Sequence, residues 1–147
     1  MAGRLIFTLV LVVTAGLSAG AWAQVASVGA IRVAMDARIL RGDAVLVAQV
    51  GTPLEVKDTL VTGPSGAVGF VLKDNSVISL GPNSNFTLSE FVFAPSEGRL
   101  GLIGDLARGT LEYISGKISK IARDAAKFRT PYTTIAVRGT RVLVRAE

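Results

Sequence analysis

Short apolar runs rich in β-branched side chains alternate along the chain with clusters of turn residues. Val25 to Val33 is the first run, with Gly29 inside it, and Ala44 to Val50 is the second, closed by Gly51-Thr52-Pro53. Thr59 to Thr62 stops at Gly63-Pro64-Ser65-Gly66, a strong turn signal because Gly and Pro set backbone angles that strands avoid. Ala67 to Leu72 follows, then Lys73-Asp74-Asn75-Ser76, where Asp and Asn tolerate the positive φ of a tight turn. Val77 to Leu80, the turn Gly81-Pro82-Asn83-Ser84, and Phe86 to Phe93 before Pro95 continue the series. Turn clusters this frequent, with no sustained helical period, predict an all-β fold.

A weak internal repeat adds detail. Asn75-Ser76-Val77-Ile78-Ser79-Leu80 aligns with Asn83-Ser84-Asn85-Phe86-Thr87-Leu88, and the same offset carried backward reaches Phe70 and Leu72. Phe70, Ile78 and Phe86 then form one apolar ladder, and Leu72, Leu80 and Leu88 a second, both on one face because strand residues two apart share a face. An antiparallel meander in a sandwich or barrel fits this spacing, and so do the stacked coils of a β-solenoid. One segment departs from strand composition. Lys117 to Phe128 places Ile118, Ile121, Ala122 and Ala125 at helical spacing behind Ser115 as an N-cap, which predicts one short helix near 117–128. Thr130-Pro131 ends it, since the residue before a proline leaves the α region. Tyr132 to Val144 returns to strand composition, interrupted by Arg138-Gly139-Thr140.

The first residues read differently. Met1 to Ala23 has the parts of a cleaved secretory signal: Arg4, an apolar run from Leu5 to Leu17, and Ala21-Trp22-Ala23 as a small-x-small cleavage site. The run is shorter than the roughly twenty residues that span a bilayer. An uncleaved anchor or a buried helix therefore fits less well. Residues 24–147 are expected to form one domain, without a transmembrane span after cleavage, in the bacterial periplasm or secreted.

Half of the 147 residues are hydrophobic and none is Cys or His. The first fact argues for a packed core and against disorder. The second excludes disulfide scaffolds, thiol nucleophiles, zinc fingers and any triad that needs imidazole. Charge is uneven. Residues 24–116 hold seven Lys/Arg against nine Asp/Glu, whereas residues 117–147 hold eight against two. A basic segment on a neutral body suits nucleic acid, anionic lipid or an acidic partner. Export, and the sparse aromatics Phe128 and Tyr132, argue against nucleic acid. The plainer reading is a charged edge that discourages strand-to-strand aggregation.

The ordered punctuation carries a family resemblance. Arg41-Gly42-Asp43-Ala44 is followed by the stretch from Leu54 to Gly63, Asp74-Asn75-Ser76, Leu80-Gly81-Pro82-Asn83-Ser84 and Phe91-Val92-Phe93-Ala94-Pro95. Arg108-Gly109-Thr110, Ser115-Gly116-Lys117-Ile118, Thr130-Pro131 and Ile135-Ala136-Val137-Arg138-Gly139-Thr140 complete it. The set resembles a FecR-type domain over roughly Val25 to Val144. The resemblance implies an all-β domain, β-solenoid-like or sandwich-like, that works as a protein-interaction module outside the cytoplasmic membrane. Full-length regulators of this type relay a signal from an outer-membrane receptor to a cytoplasmic sigma factor through a cytoplasmic segment, a membrane helix and a receptor-facing domain. The present sequence is expected to be a stand-alone domain lacking those parts.

The motif residues Asp74, Asn75, Ser76, Gly81, Thr130, Pro131, Arg138, Gly139 and Thr140 read as structural, through turn conformations and local hydrogen bonds. Arg138 is expected to bridge to Asp74 or Asp58 with paired hydrogen bonds, the geometry a guanidinium favours. The functional alternative is partner binding by Arg138 and Arg141, with Lys117 and Lys120. For carboxylate chemistry by Asp43, Glu55 and Asp58 the sequence shows no two acids facing each other, and Ser115 with Lys117, beside a Gly turn, reads better as part of the motif set. Asp74-Asn75 with Asn83 and Asn85 is too sparse for calcium. No catalytic, cofactor or metal residues are assigned. The expected function is a non-enzymatic adaptor or sensor that binds another periplasmic or outer-membrane protein. A module for envelope glycan or anionic lipid, using the basic C-terminal third, is the alternative, and self-association through an exposed strand edge is open.

Overall fold

Every-second-residue burial decides the elements. In the computed structural model, which describes residues 26–147, apolar side chains turn inward along ten strands. These are β1 (Gly29–Arg41), β2 (Ala44–Val47), β3 (Pro53–Leu54), β4 (Thr59–Leu72), β5 (Val77–Leu80), β6 (Asn85–Ala94), β7 (Arg99–Ile114), β8 (Ala126–Arg129), β9 (Thr134–Ala136) and β10 (Arg141–Ala146). A 3₁₀ turn covers Pro95–Glu97 and one helix, α1, covers Lys117–Ile121. The secretory signal read at Met1 to Ala23 lies outside the described residues.

The pairing closes on itself. One edge of β4 is lined by β1, antiparallel, with Ile31 opposite Phe70 and Ile39 opposite Leu60. The other edge is divided, Leu60 facing Phe86 of β6 and Phe70 facing Ile78 of β5. The long strand β7 is divided in the same way, with Leu106 facing Phe86 and Tyr113 facing Ile78. β5 and β6 thus lie end to end between β4 and β7, and this circuit β4–β5–β7–β6 belongs to a small closed barrel, so the all-β expectation holds, while the architecture is neither a clear solenoid nor a clear sandwich. Outside the circuit, β2 and β3 pair with β1. The far edge of β7 takes β8 in parallel and β10 antiparallel, and β9 pairs with β8.

A strand that serves two neighbours along one edge must bend where they change over. In β4 the bend is Gly63-Pro64-Ser65-Gly66, which the sequence presents as a turn and the structure carries as a corner inside one strand. Opposite it, Asp36 takes φ 41 at a register shift in β1, and a Cβ on Gly63 would run into the Asp36 carboxylate. In β7 the bend is Gly109, at φ 102 and packed on Ser84, a conformation that glycine adopts without penalty.

The β5–β6 turn joins the two corners. The buried Ser84 N–H donates to Thr62 Oγ1 (2.9 Å), and Thr62 N–H donates back to the Ser84 carbonyl (3.0 Å). Ser84 Oγ accepts from the Thr110 N–H (3.1 Å) and lies within donating distance of the Pro82 and Thr110 carbonyls (3.2 and 3.3 Å). Thr62 Oγ1 donates to the Gly81 carbonyl (2.7 Å), and Gly81 N–H to that of Thr110 (3.1 Å). Asn75 (φ 66) and Asn83 (φ 52) hold the left-handed positions expected of turn asparagines.

Phe70, Phe86, Phe128 and Tyr113 fill the barrel interior, with Tyr113 and Phe128 centroids 4.9 Å apart and Phe70 and Phe86 6.0 Å apart. All six residues of the two expected ladders are buried. Their rows differ, however, because the strands are antiparallel. Phe70 and Ile78 share a row with Tyr113, Phe86 shares one with Leu60 and Leu106, and Leu80 faces Val68 and Leu111.

The predicted helix is also shorter. Only Lys117–Ile121 is helical, and Ala122 is already extended. Asp124 then takes φ 65, and Ala126 and Phe128 are buried at strand spacing in β8. Burial of two residues on alternate positions outweighs the helical pattern, which buries Ile118 and leaves Ile121 58% exposed. Gly116, not Ser115, stands at the N-cap, and Ser115 Oγ instead donates to the Gly139 carbonyl (2.5 Å). Thr130-Pro131 forms the β8–β9 turn, with Thr130 N–H bonded to the Thr133 carbonyl (2.8 Å).

Ser84→Ala keeps the shape of the turn and leaves the Thr110 N–H without its acceptor at the barrel's junction. The expected loss is about 0.5–1.5 kcal/mol of unfolding free energy, the net worth of a part-buried hydrogen bond, read from urea unfolding against wild type.

Candidate functional site

Two buried carboxyl groups anchor the structure, and both are fully engaged. Asp74, at the end of the β4–β5 turn, accepts from Ser76 N–H (3.0 Å), Ser76 Oγ (2.6 Å) and Ile118 N–H (3.2 Å). Its carbonyl takes the Lys117 N–H (2.7 Å), so one residue holds the first turn of α1. Ser76 Oγ continues to Tyr113 Oη (3.2 Å), which reaches Ser119 Oγ (3.1 Å). Asp58 is gripped by Arg41 through Nε (2.8 Å) and an NH2 nitrogen (2.7 Å), and also takes the Glu55 N–H (2.9 Å). The hydrogen bonds that Arg41 donates to Asp58 push its pKa further up. Among the described residues no buried side-chain nitrogen or oxygen lacks a partner.

This accounts for the acids weighed for chemistry. Asp58 and Glu55 both hold Arg41, and Asp43 is exposed in the β1–β2 turn. Ser115 Oγ is bonded to the Gly139 carbonyl, away from any pairing with Lys117. Among the described residues no three acids gather as metal ligands would.

The Arg138 bridge exists with a different carboxylate. Asp74 and Asp58 are buried and already satisfied, so the exposed Arg138 forks onto Asp124 in the turn after α1, at 2.8 and 3.0 Å. Arg138 holds the Asp124 carboxyl below its ordinary range, helped by Lys127 and Arg123. The following residues are pinned by Ser115, whose N–H donates to the Thr140 carbonyl (2.8 Å) and whose hydroxyl meets that of Gly139. Gly139 itself has open space around it and no left-handed angle, so no steric reason for glycine appears there. Arg141 opens β10 and pairs with Glu112 (3.0 Å). Lys117 and Lys120 stand exposed on α1, and neither joins an ion pair among the described residues.

Next to this end of the barrel lies a groove of about 460 Å³ on the outer face of β5, β7 and β10. Leu143, Ser79, Thr110 and Glu112 line it, and Arg145 leads into a second hollow with Arg108, Asn83 and Glu147. Leu143 is 72% exposed, as Val45 and Val47 of β2 also are at 62% and 71%. Sequence reasoning named Arg141, quoted Arg108 only within a family motif, and missed Leu143 and Arg145. The alternation Arg141-Val142-Leu143-Val144-Arg145 was the available signal, since Leu143 shares its face with two arginines while the valines share the other.

Comparison with known families supplies the remaining evidence. A family model described as FecR protein matches residues 58–147, from the buried Asp58 through the whole of β10. No curated protein and no solved structure matches the chain.

The Arg129–Asp105 pair (2.6 Å) gives the molecule a defined acid response. Arg129, with Ser89, holds the Asp105 carboxyl below its ordinary value. A carboxylate depressed by folding contributes stability that is present above its unfolded pKa of about 3.9 and lost as pH falls through the folded value. Asp105→Asn is therefore expected to be less stable than wild type at neutral pH, with the gap closing in acid. Urea midpoints measured from neutral pH down to the acid limit check this.

Proposed function

Because the chain belongs to the FecR family, we propose that it serves as a non-enzymatic interaction module of the bacterial envelope, binding another periplasmic or outer-membrane protein as an adaptor or sensor. The observation that carries this reading is the family match, which spans the barrel corners and the basic C-terminal third together. The chemistry of the site is consistent with it. The acids and hydroxyls closest to one another are occupied in holding turns, helix and strands. What the surface offers is a strand edge, an apolar groove and a set of cations. No helix among the described residues is long and apolar enough to cross a membrane. Export through the leader at Met1 to Ala23 belongs to this proposal.

A second reading has its own observation. Lys117, Lys120, Arg123 and Lys127 are exposed around the exposed Ile121, an arrangement that suits anionic lipid or glycan.

Affinity capture from cross-linked periplasm, using the full chain, separates the two. The expected result is one specific envelope protein, held by wild type through a high-salt wash. Arg138→Ala breaks only an exposed pair, so it is expected to fold with an unchanged melting profile, and reduced capture by it places Arg138 at the contact. Capture of no protein, together with salt-sensitive retention on anionic vesicles or peptidoglycan, supports the second reading and removes the first.

A further inference from the structure

Resting on the protein-interaction reading above, we propose that β10 is the docking edge, and that it takes an extended acidic segment of the partner as an added antiparallel strand. The backbone geometry comes first. Thr140 directs its carbonyl to the Ser115 N–H (2.8 Å), and the β7–β10 register continues without a shift to Ala146 opposite Gly109. In an antiparallel ladder, successive residues direct their backbone groups alternately toward and away from the neighbour. Val142, Val144 and Ala146 therefore bond to β7. Arg141, Leu143 and Arg145 present their N–H and C=O groups outward, where no other strand among the described residues pairs with β10. An unpaired row of this kind is a template for another strand.

The side chains of those three residues state what the strand must carry. Leu143 is 72% exposed, and the Arg141 and Arg145 side chains are 63% and 73% exposed. Each guanidinium meets a carboxylate through one nitrogen, Arg141 with Glu112 (3.0 Å) and Arg145 with Glu147 (2.6 Å), leaving further donors on a five-donor fork. Among the described residues Arg108, in the adjoining hollow, bonds only the Asn83 carbonyl (3.2 Å). Arg141 and Arg145 thus each meet one side-chain carboxylate, and, among the same residues, Arg108 in the hollow beside Arg145 meets none. The complement is acid, any residue, apolar, any residue, acid, with the apolar side chain against Leu143.

A second copy of this chain fits poorly. Paired over the full strand about Leu143, two β10 strands set Arg141 against Arg145 in both halves, and like charges directly opposite are destabilising. The other strands with a single partner, β2, β3 and β9, read Ala-Val-Leu-Val, Pro-Leu and Thr-Ile-Ala and carry no charge with which to select a partner.

The test uses the full chain and two short labelled peptides, one centred on Glu-Thr-Val-Thr-Glu and the other on Lys-Thr-Val-Thr-Lys. The acidic peptide is expected to bind at least about tenfold more tightly than the basic one, and to lose that advantage at high salt. Amide exchange in the complex is expected to slow at Arg141, Leu143 and Arg145 in particular. Leu143→Pro removes an outward N–H and no ladder bond, so it folds and binds neither peptide. Should it fail to fold, Arg141→Glu with Arg145→Glu reverses the preference between the peptides. Equal affinity for both peptides, binding to neither, protection confined to other strands, or a concentration-dependent dimer of the free chain would each overturn the proposal. An envelope protein captured equally by wild type and folded Leu143→Pro also overturns it, while leaving the broader interaction reading in place.

Discussion

The molecule turns on one buried serine. β4 and β7 must each serve two neighbours along a single edge, and every backbone group in the bends between them still needs a partner. Ser84 supplies it, with its N–H on Thr62 and its hydroxyl at Thr110, so that one short turn ties both corners. Once the corners are fixed, β5 and β6 can close the circuit and the Phe70, Phe86, Phe128 and Tyr113 rings have a space to fill. Asp74 and Asp58 then secure the two turns that lie farther out, each through hydrogen bonds that occupy the carboxyl group. A scaffold built this way commits its polar interior to geometry, and what it leaves free is its outward strand edges.

The strands and turns were legible because burial at alternate positions and Gly-Pro-Asn-Asp clusters act locally. Asn75 and Asn83 sit where such clusters predict, and the segment after Tyr132 divides into β9 and β10 around Arg138-Gly139-Thr140. Long-range pairing was not legible. Gly63-Pro64-Ser65-Gly66 reads as the end of a strand because the sequence does not show that Asp36 of β1 lies opposite and lets the chain continue through a bend. The helix was overextended for a related reason. Ala126 and Phe128 suit either period, and only the parallel place beside β7 decides for a strand.

The site shows the same division. That Arg138 forks onto a carboxylate follows from its chemistry, but which carboxylate depends on burial. Asp58 and Asp74 are sealed inside with their own donors, whereas Asp124 stands at the surface in a left-handed turn. Leu143 was hidden because a leucine between two valines looks like core. It is exposed because β10 lies against β7 alone and shows one face to solvent. The motif set that identifies the family is thus largely a set of structural instructions, among them the Ser84 tie, the Asp74 cap and the Ser115 clasp on Gly139 and Thr140. The surface proposed above to select a partner draws instead on Arg141, Leu143 and Arg145, which follow the last of those motifs.

Site-specific photocrosslinking in intact cells tests most directly whether this barrel is a platform with one reading edge. A photoreactive phenylalanine analogue is placed at Leu143, and in a second strain at Val45 on the uncharged β2 edge. The expected result is a single envelope-protein adduct from the Leu143 position, suppressed by the acidic peptide, and none from Val45. Adducts from Val45 alone, or a self-adduct of two copies through Leu143, would contradict it.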